Sequence, residues 1–330
     1  MIKKRLIFFF ISLFIGGVIF YFVLEKAEPK EVWRILLEFS GWGIFYGLIL
    51  TFIFNLLGIW RWQIILKDKG DNFSLKKLFS SYLGGFSIDF FAPTLLLGGE
   101  IFKGYLIKKE QGLSWQKGVI SIFIDKIFDK SASVFFIILG VILFLFKVFT
   151  MPSLTQPFFL VLFIFLIVLI FFYFRAFKSQ SIIKFIEKPL RRVLNQEIKN
   201  GIIACEKEIF DFFEYRNKNL WLVIILSLVR GGINCLRCWI ILFFLGLEIN
   251  ILTVLFINAF LNLAYYIPLP ATLGSHESLQ LLSFSLSGLG VSQAFVFVLI
   301  FRFFEFLVSF LGIFISFRYG TKWILEKLKI

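Results

Sequence analysis

The sequence has few of the residues from which soluble enzymes build their sites. Its 330 residues include one histidine, three cysteines and seven prolines, and only 17% are charged. A single histidine excludes a metal site made of several histidines, and cysteines at positions 205, 235 and 238 give no disulfide framework. There is no phosphate-binding loop, dinucleotide-binding glycine motif or nucleophile elbow. We therefore expect no cofactor, no metal and no soluble enzyme activity.

Apolar residues, by contrast, are abundant: 59% of the chain is hydrophobic, and 49 residues are phenylalanine. Six runs are long enough to cross a hydrocarbon core of about 30 Å at about 1.5 Å per residue. They are residues 6–24, 41–66, 118–146, 158–174, 221–245 and 291–317. The first run follows a basic start, as in a signal peptide, but no small-residue cleavage site follows Leu24, so we interpret it as a retained helix.

The distribution of basic residues predicts the orientation. Residues 175–219 carry ten basic and six acidic side chains, which indicates a cytoplasmic linker, and its apolar positions predict an amphipathic helix. Both termini and residues 67–77 are basic and are also expected in the cytoplasm. The connections 150–156 and 246–253 contain no lysine or arginine and are expected to face outward. The net charge of +14 is thus assigned to cytoplasmic loops of a plasma or inner membrane protein, with anionic lipids rather than nucleic acid as partners.

Two further apolar stretches, 79–107 and 254–290, have both ends on one predicted side of the membrane and are interpreted as re-entrant hairpins. Each contains residues that break helices: Pro93, Gly98 and Gly99 in the first, and Pro268, Pro270 and Gly274 in the second. Broken helices free backbone groups, which are tolerated at membrane depth only inside protein or beside a wet cavity.

The spacing of similar residues indicates an internal duplication. Pro93 and Pro270 have the same separation along the chain as Glu100 and Glu277. The separation from Lys126 to Arg302 equals that from Asp129 to Glu305, and it is one position shorter than the separation of the two prolines. Arg61 and Arg237 have this same shorter separation.

These matches predict an all-α polytopic membrane protein with six full spans and two re-entrant hairpins, folded as one transmembrane domain over residues 1–330. The first repeat covers about 41–147 and the second about 220–317, each with the order span, hairpin, span. The hairpins face opposite sides, so the repeats are inverted, and such folds place their binding sites near the midplane.

Ionisable residues within the spans mark the predicted site, because a charge at the centre of a membrane helix costs about 2.5–3.5 kcal/mol on insertion scales. The residues predicted to bind substrate are Glu100, Lys103, Asp125, Lys126, Asp129, Arg230, Asn234, His276, Glu277, Arg302 and Glu305. Arg230 has no acid within four residues on its own helix, so its partner is expected from another helix or from a ligand.

Structural roles remain open for several of these residues. Lys126 with Asp129, and Arg302 with Glu305, have the i, i+3 spacing of ion pairs within one helix. Glu100 and Glu277 are placed to cap their own helices, and His276 is either a proton relay or a satisfied hairpin residue. Arg61 lies close to a cytoplasmic helix end, where its side chain is expected to reach the headgroups.

The same motifs resemble those of the lysylphosphatidylglycerol synthase transmembrane-region family, also described as flippase-like domains. They are Pro-x-x-x-x-Gly-Gly-Glu ending at Glu100, Asp-Lys-x-x-Asp ending at Asp129, Pro-x-Pro-x-x-x-Gly-x-x-Glu ending at Glu277, and Arg-x-x-Glu ending at Glu305. The sequence departs from the pattern at Ala271-Thr272 and Ser275-His276. Members that make lysylphosphatidylglycerol carry an added aminoacyl-transferase domain, for which we find no segment, so the resemblance implies the translocating part.

The leading hypothesis is a flippase-like protein that translocates or scrambles a lipid with a charged, phosphate-containing headgroup. Arg230, Arg302 and Lys126 are expected to hold the phosphate, and either proton coupling or passive scrambling is consistent with the sequence. One alternative is a non-transporting subunit that binds a lipid-linked intermediate for a separate transferase. Another is an intramembrane hydrolase that uses Asp125 and Asp129 as acid and base.

Overall fold

The computed structural model describes residues 2–91, 98–147, 196–214, 216–267 and 272–328, and the single positions 167 and 269. The secondary structure in this part of the chain is entirely helical, with no strand. Its helices are α1 (Ile2–Lys26), α2 (Pro29–Glu38), α3 (Gly41–Asp68), α4 (Leu75–Phe91), α5 (Gly98–Gln111), α6 (Trp115–Lys147), α7 (Gln196–Phe212), α8 (Lys218–Phe244), α9 (Ile251–Ala264), α10 (Ser275–Leu286) and α11 (Val291–Leu328).

Three helices, α3, α8 and α11, are long and apolar enough to cross a membrane, and α1 and α2 form a further apolar pair bent by 82°. The 33 residues of α6 also exceed the length of a span, but this helix carries four charges between Asp125 and Lys130. The all-helical class and the apolar helices are thus confirmed. Apart from residue 167, the predicted span 158–174 lies outside the described residues, as do the start of the predicted linker and the breaks Pro93, Pro268 and Pro270.

The two predicted hairpins correspond to pairs of short helices. The first pair is α4 and α5, of 17 and 14 residues, and the second is α9 and α10, of 14 and 12 residues. At about 1.5 Å per residue, three of the four are well short of a hydrocarbon core of about 30 Å. Within each hairpin the two helices pack against each other.

Corresponding helices begin at a nearly constant offset along the chain. Helix α3 begins at residue 41 and α8 at 218, α4 at 75 and α9 at 251, α5 at 98 and α10 at 275, and α6 at 115 and α11 at 291. The offset is the same in every pair to within one position, and it matches the offset of the motif residues.

The helices α3 and α8 pack side by side and run antiparallel. Gly43, near the start of α3, faces Phe244 at the end of α8. Farther along, Arg61 donates a hydrogen bond to Ser227 at 3.2 Å, and Asp68 at the end of α3 accepts one from Asn219 at 2.9 Å. Because α3 belongs to the first half of the chain and α8 to the second, this antiparallel pair joins the two halves.

The first helix of each hairpin packs against the last helix of the other half. Helix α4 lies along α11, where Ser87 donates to the carbonyl oxygen of Ser309 at 2.8 Å. Helix α9 lies along α6 in the same way, where Ser133 and Asn262 are 3.3 Å apart. The helices approach closely at Gly312 of α11 and Gly140 of α6. A side chain at either position would clash with the neighbouring helix, so only glycine fits there.

Peripheral helices cover this central bundle. Helix α1 packs on α10 and α11, and α2 turns away from α1 and exposes Trp33 and Leu37. Helix α7, in the described part of the predicted linker, packs on α6, and Phe213 just beyond it stacks on Phe128 with ring centroids 5.2 Å apart.

Exposed tryptophans indicate where the bilayer lies. Trp42 and Trp60 on α3, and Trp221 and Trp239 on α8, are all exposed, and the two tryptophans have the same separation on both helices. At about 1.5 Å per residue that separation corresponds to about 27 Å of helix, close to the thickness of a hydrocarbon core, whose edges tryptophan favours. Arg230, midway between the two tryptophans of α8, therefore lies near the bilayer centre.

The predicted orientation can be tested with two exposed loop residues placed on opposite sides of the membrane. In a Cys205→Ser background, we expect Glu248→Cys to react with a membrane-impermeant maleimide in intact cells, because the loop after α8 is predicted to face outward. Asn72→Cys, in the loop after α3, should react only after the membrane is disrupted. Labelling of Asn72→Cys in intact cells would show that the orientation is reversed.

Candidate functional site

A cavity of about 540 Å³ lies between the two halves, within the range typical of ligand sites. Helices α3 to α6 and α8 to α11 all contribute to the bundle around it. Ten charged side chains line the cavity: Arg61, Asp89, Glu100, Lys103, Asp125, Lys126, Asp129, Lys130, Arg230 and Glu305. Most of them are paired, as burial away from water requires.

Arg230 is held at the centre by Asp129 of α6, with which it forms an ion pair. Its Nε donates to the carbonyl oxygen of Phe54 at 3.1 Å, and its guanidinium lies 3.8 Å from the centre of the Phe54 ring. Of the two partners that the sequence allowed, another helix or a ligand, the structure shows the first, Asp129. This contact joins α8 to both α3 and α6.

Arg61 is buried in the same cluster and does not reach the headgroups as predicted. Its Nε donates to Asp125 at 2.7 Å and its Nη2 to Asp129 at 3.2 Å, and only 1% of the residue is exposed. Both carboxylates thus serve as counterions to one guanidinium. This arrangement gives no support to Asp125 and Asp129 as the acid and base of a hydrolase.

Lys126 connects the last helix of the first half to its hairpin. It forms ion pairs with Glu100 of α5 and with Asp89 of α4, the latter at 3.2 Å. Asp89 also accepts a hydrogen bond from the Gly99 N–H at 3.0 Å, which caps the start of α5. The predicted pair of Lys126 with Asp129 is not formed within the described structure, because Lys126 extends to the hairpin instead.

The second half repeats this contact, since Arg302 of α11 forms an ion pair with Glu277 of α10. Glu277 also accepts a hydrogen bond from the Gly274 N–H at 2.7 Å, so it caps its own helix as well as binding the arginine. Gly274 has a φ of +83°, a conformation that favours glycine. Arg302 and Glu277 lie outside the cavity lining.

His276 is fully buried and packs edge-on against the Tyr265 ring, with centroids 4.7 Å apart. Neither ring nitrogen has a hydrogen-bond partner among the described residues. Tyr265 donates to Glu305, and Asn234 binds Asn258 at 2.9 Å.

Two lysines at the cavity form no ion pair with any described carboxylate. Lys103, on α5, is buried and lies 4.4 Å from the centre of the Tyr82 ring. Lys130, on α6, lies 4.7 Å from the centre of the Tyr266 ring. Cation–π contacts offset part of the cost of burying these ammonium groups, but they leave the N–H donors available.

The structure brings eight of the eleven predicted residues to the cavity, namely Glu100, Lys103, Asp125, Lys126, Asp129, Arg230, Asn234 and Glu305. It adds residues that sequence reasoning missed, including Asp89, Lys130, Tyr82 and Tyr265. Asp89 and Tyr265 could have been found from their separation along the chain, which equals that of Arg61 and Arg237. No group of three or more metal-binding side chains is found in the described part of the chain.

A bundle of apolar helices around a buried charged cavity defines this chain as a polytopic membrane protein. Its residues 9–312 match the family described as the lysylphosphatidylglycerol synthase TM region, and the chain belongs to that family. A relative is the UPF0104 membrane protein MJ1595 of Methanocaldococcus jannaschii, 23% identical over 297 residues that cover 86% of this chain and 85% of that protein. The resemblance seen in the motifs is thus confirmed.

The buried and the exposed ion pairs should differ in their contribution to stability. We expect Asp125→Ala to lower the free energy of unfolding by about 3 kcal/mol, because it deprives the buried Arg61 of a counterion. Glu31→Ala, which breaks an exposed pair with Arg34 on α2, should cost less than about 1 kcal/mol. Thermal unfolding in detergent measures both, and equal effects would contradict the assignment.

Proposed function

We propose that this protein moves a lipid with a phosphate-containing headgroup between leaflets. The observation that carries the proposal is the cavity near the bilayer centre, with Lys103 and Lys130 at its wall as cations that no described carboxylate pairs with. A phosphate is a strong acceptor of hydrogen bonds from ammonium groups. Such a headgroup needs a polar passage, because charges in hydrocarbon are costly.

Pairing within the protein changes which cations are assigned to the phosphate. The sequence pointed to Arg230, Arg302 and Lys126, and each of these has a carboxylate partner in the structure. We therefore assign the first contact to Lys103 and Lys130, which line the same cavity as Arg230. Arg302 supports the second hairpin and does not line the cavity.

The cavity wall also includes apolar side chains with large exposed fractions. Phe123 of α6 and Ile267 after α9 both line the cavity, and their exposed fractions are 44% and 40%. Exposed apolar residues at the wall of a charged cavity suit an opening through which a headgroup enters while its chains stay in the bilayer. This feature favours a lipid over a water-soluble substrate.

The internal duplication supports movement between leaflets. Corresponding helices begin at a nearly constant offset, and the first members, α3 and α8, run antiparallel. We infer two inverted copies of a span, hairpin, span unit, with six spans in the whole chain. Inverted copies can exchange conformations, so that a site open to one side becomes open to the other.

Translocation can be measured with purified protein in vesicles that contain fluorescent phosphatidylglycerol. We expect the wild type to bring lipid from the inner leaflet within reach of an external quencher. Lys103→Gln and Lys130→Gln should each slow this about tenfold or more, since a hydrogen bond to a charged group contributes about 1.5–3 kcal/mol. Circular dichroism should show unchanged helix content.

Lys76→Gln is the matched control, because Lys76 is exposed at the start of α4. It should move lipid at the wild-type rate. Wild-type protein that binds the labelled lipid but never moves it would overturn the proposal and favour a subunit that presents a lipid-linked intermediate to a separate transferase.

A further inference from the structure

Behind the cavity wall lies a further arginine, Arg237, whose donors are not all used. It is 1% exposed, and its Nη1 donates to Asn234 at 3.1 Å. Nε and Nη2 have no acceptor among the described residues. The guanidinium instead lies 4.2 Å from the centre of the Phe301 ring and 5.3 Å from that of Phe54.

Asn258 adds another unused donor to the same cluster. Its Oδ1 accepts a hydrogen bond from Asn234 Nδ2 at 2.9 Å, while its own Nδ2 is buried and lacks an acceptor in the described structure. Three buried nitrogen donors without an acceptor are costly to leave unpaired. An oxyanion, with several acceptor oxygens and a negative charge, is the ligand that such a set suits.

Glu305 is the carboxylate that acts electrostatically on Arg237, yet the two form no ion pair in the described structure. One of its oxygens accepts from Tyr265, and the other has no described partner. The contrast with Arg61 is informative, because Arg61 is the corresponding residue of the first half and has two carboxylates. Phe301 occupies the position in the second half that Asp125 occupies in the first.

We propose that Arg237 and Asn258 form a second phosphate-binding site, with Asn234 orienting both side chains. The inference rests on the proposed function and assigns this site to the headgroup after it has passed Arg230. Arg237 lies two helical turns along α8 from Arg230, about 10 Å, toward the predicted outer side. Phe54 contacts both guanidinium groups and separates the two positions.

Glu305 is the carboxylate whose charge competes with a phosphate for Arg237. Glu305 lines the cavity and Arg237 does not, so we place Glu305 on the route from the first position to the second. A carboxylate that is hydrogen-bonded by Tyr265 but not fixed by Arg237 can move aside without breaking an ion pair. Removal of its charge should therefore favour phosphate at Arg237.

The test measures how ligands shift the melting temperature of the purified protein in detergent. The ligands are short-chain phosphatidylglycerol in one series and inorganic phosphate in another. We expect Glu305→Gln to melt lower than wild type without ligand and to bind phosphate about tenfold more tightly, since the competing charge is gone. The gain should vanish in the double variant Glu305→Gln, Arg237→Gln.

Glu248→Gln, at an exposed loop carboxylate, is the control and should show neither effect. If the double variant does not fold, Arg237→Lys takes the place of Arg237→Gln, and it should lose most of the gain because one ammonium replaces the guanidinium fork. A gain in the lipid series identifies a headgroup site, and a gain with inorganic phosphate alone identifies a free-anion site. No gain with either ligand, or a gain that persists without Arg237, overturns the inference.

The vesicle assay separates this inference from the proposed function. If wild-type protein moves no lipid but Glu305→Gln still binds phosphate more tightly through Arg237, the site stands and translocation falls. If wild-type protein moves lipid and the gain is absent, translocation stands and the second site falls.

Discussion

An arginine near the bilayer centre needs a counterion, and this requirement organises the whole bundle. The counterion of Arg230 is Asp129, which also binds Arg61. One carboxylate on α6 therefore binds a guanidinium group from α8 and another from α3. Every helix that supplies one of these groups is thereby fixed relative to the others at the depth where water is scarcest. The apolar surfaces of the same helices can then face lipid, as the many exposed phenylalanines do. Hydrophobic burial cannot fix helix positions in this way, because lipid chains are as apolar as the side chains.

The two halves share one ion pair between the last helix and the hairpin but differ in the residues around it. In each, a cation on the last helix binds a glutamate at the start of the hairpin's second helix, Lys126 with Glu100 and Arg302 with Glu277. Two other positions diverge, since Asp89 corresponds to Tyr265 and Asp125 to Phe301. The first half is consequently rich in fixed ion pairs, while the second holds a tyrosine, a histidine and a glutamate around a less neutralised arginine. The corresponding positions of the two halves therefore differ in charge as well as in side-chain chemistry.

Much of the fold could be predicted from the sequence, because apolar length and glycine or proline breaks are local properties. The bounds of α3 and α8 and the start of α11 agree with the predicted runs to within three residues. The site was less accessible, since ion pairs between helices depend on packing that spacing does not reveal. The i, i+3 spacing suggested that Lys126 binds Asp129, whereas the lysine reaches Asp89 and Glu100 on the hairpin. The position of Arg61 near a helix end could be estimated from the sequence, but the direction of its side chain could not. It was therefore expected to reach the headgroups, whereas it turns inward to Asp125 and Asp129. Tyr82 and Lys130 gave no signal beyond their residue types.

The contact between α1 and the second hairpin makes the two hairpins mechanically unequal. Gly274, at the turn into α10, lies against the backbone of Gly16 and the side chain of Ile19, so the first helix braces this hairpin from outside. The helices that pack closely on α4 and α5 in the described part of the chain are α3, α6 and α11, besides α4 and α5 themselves. A hairpin that packs against an additional helix is held more firmly than one that does not. We therefore expect the second hairpin, which α1 supports, to resist displacement more than the first.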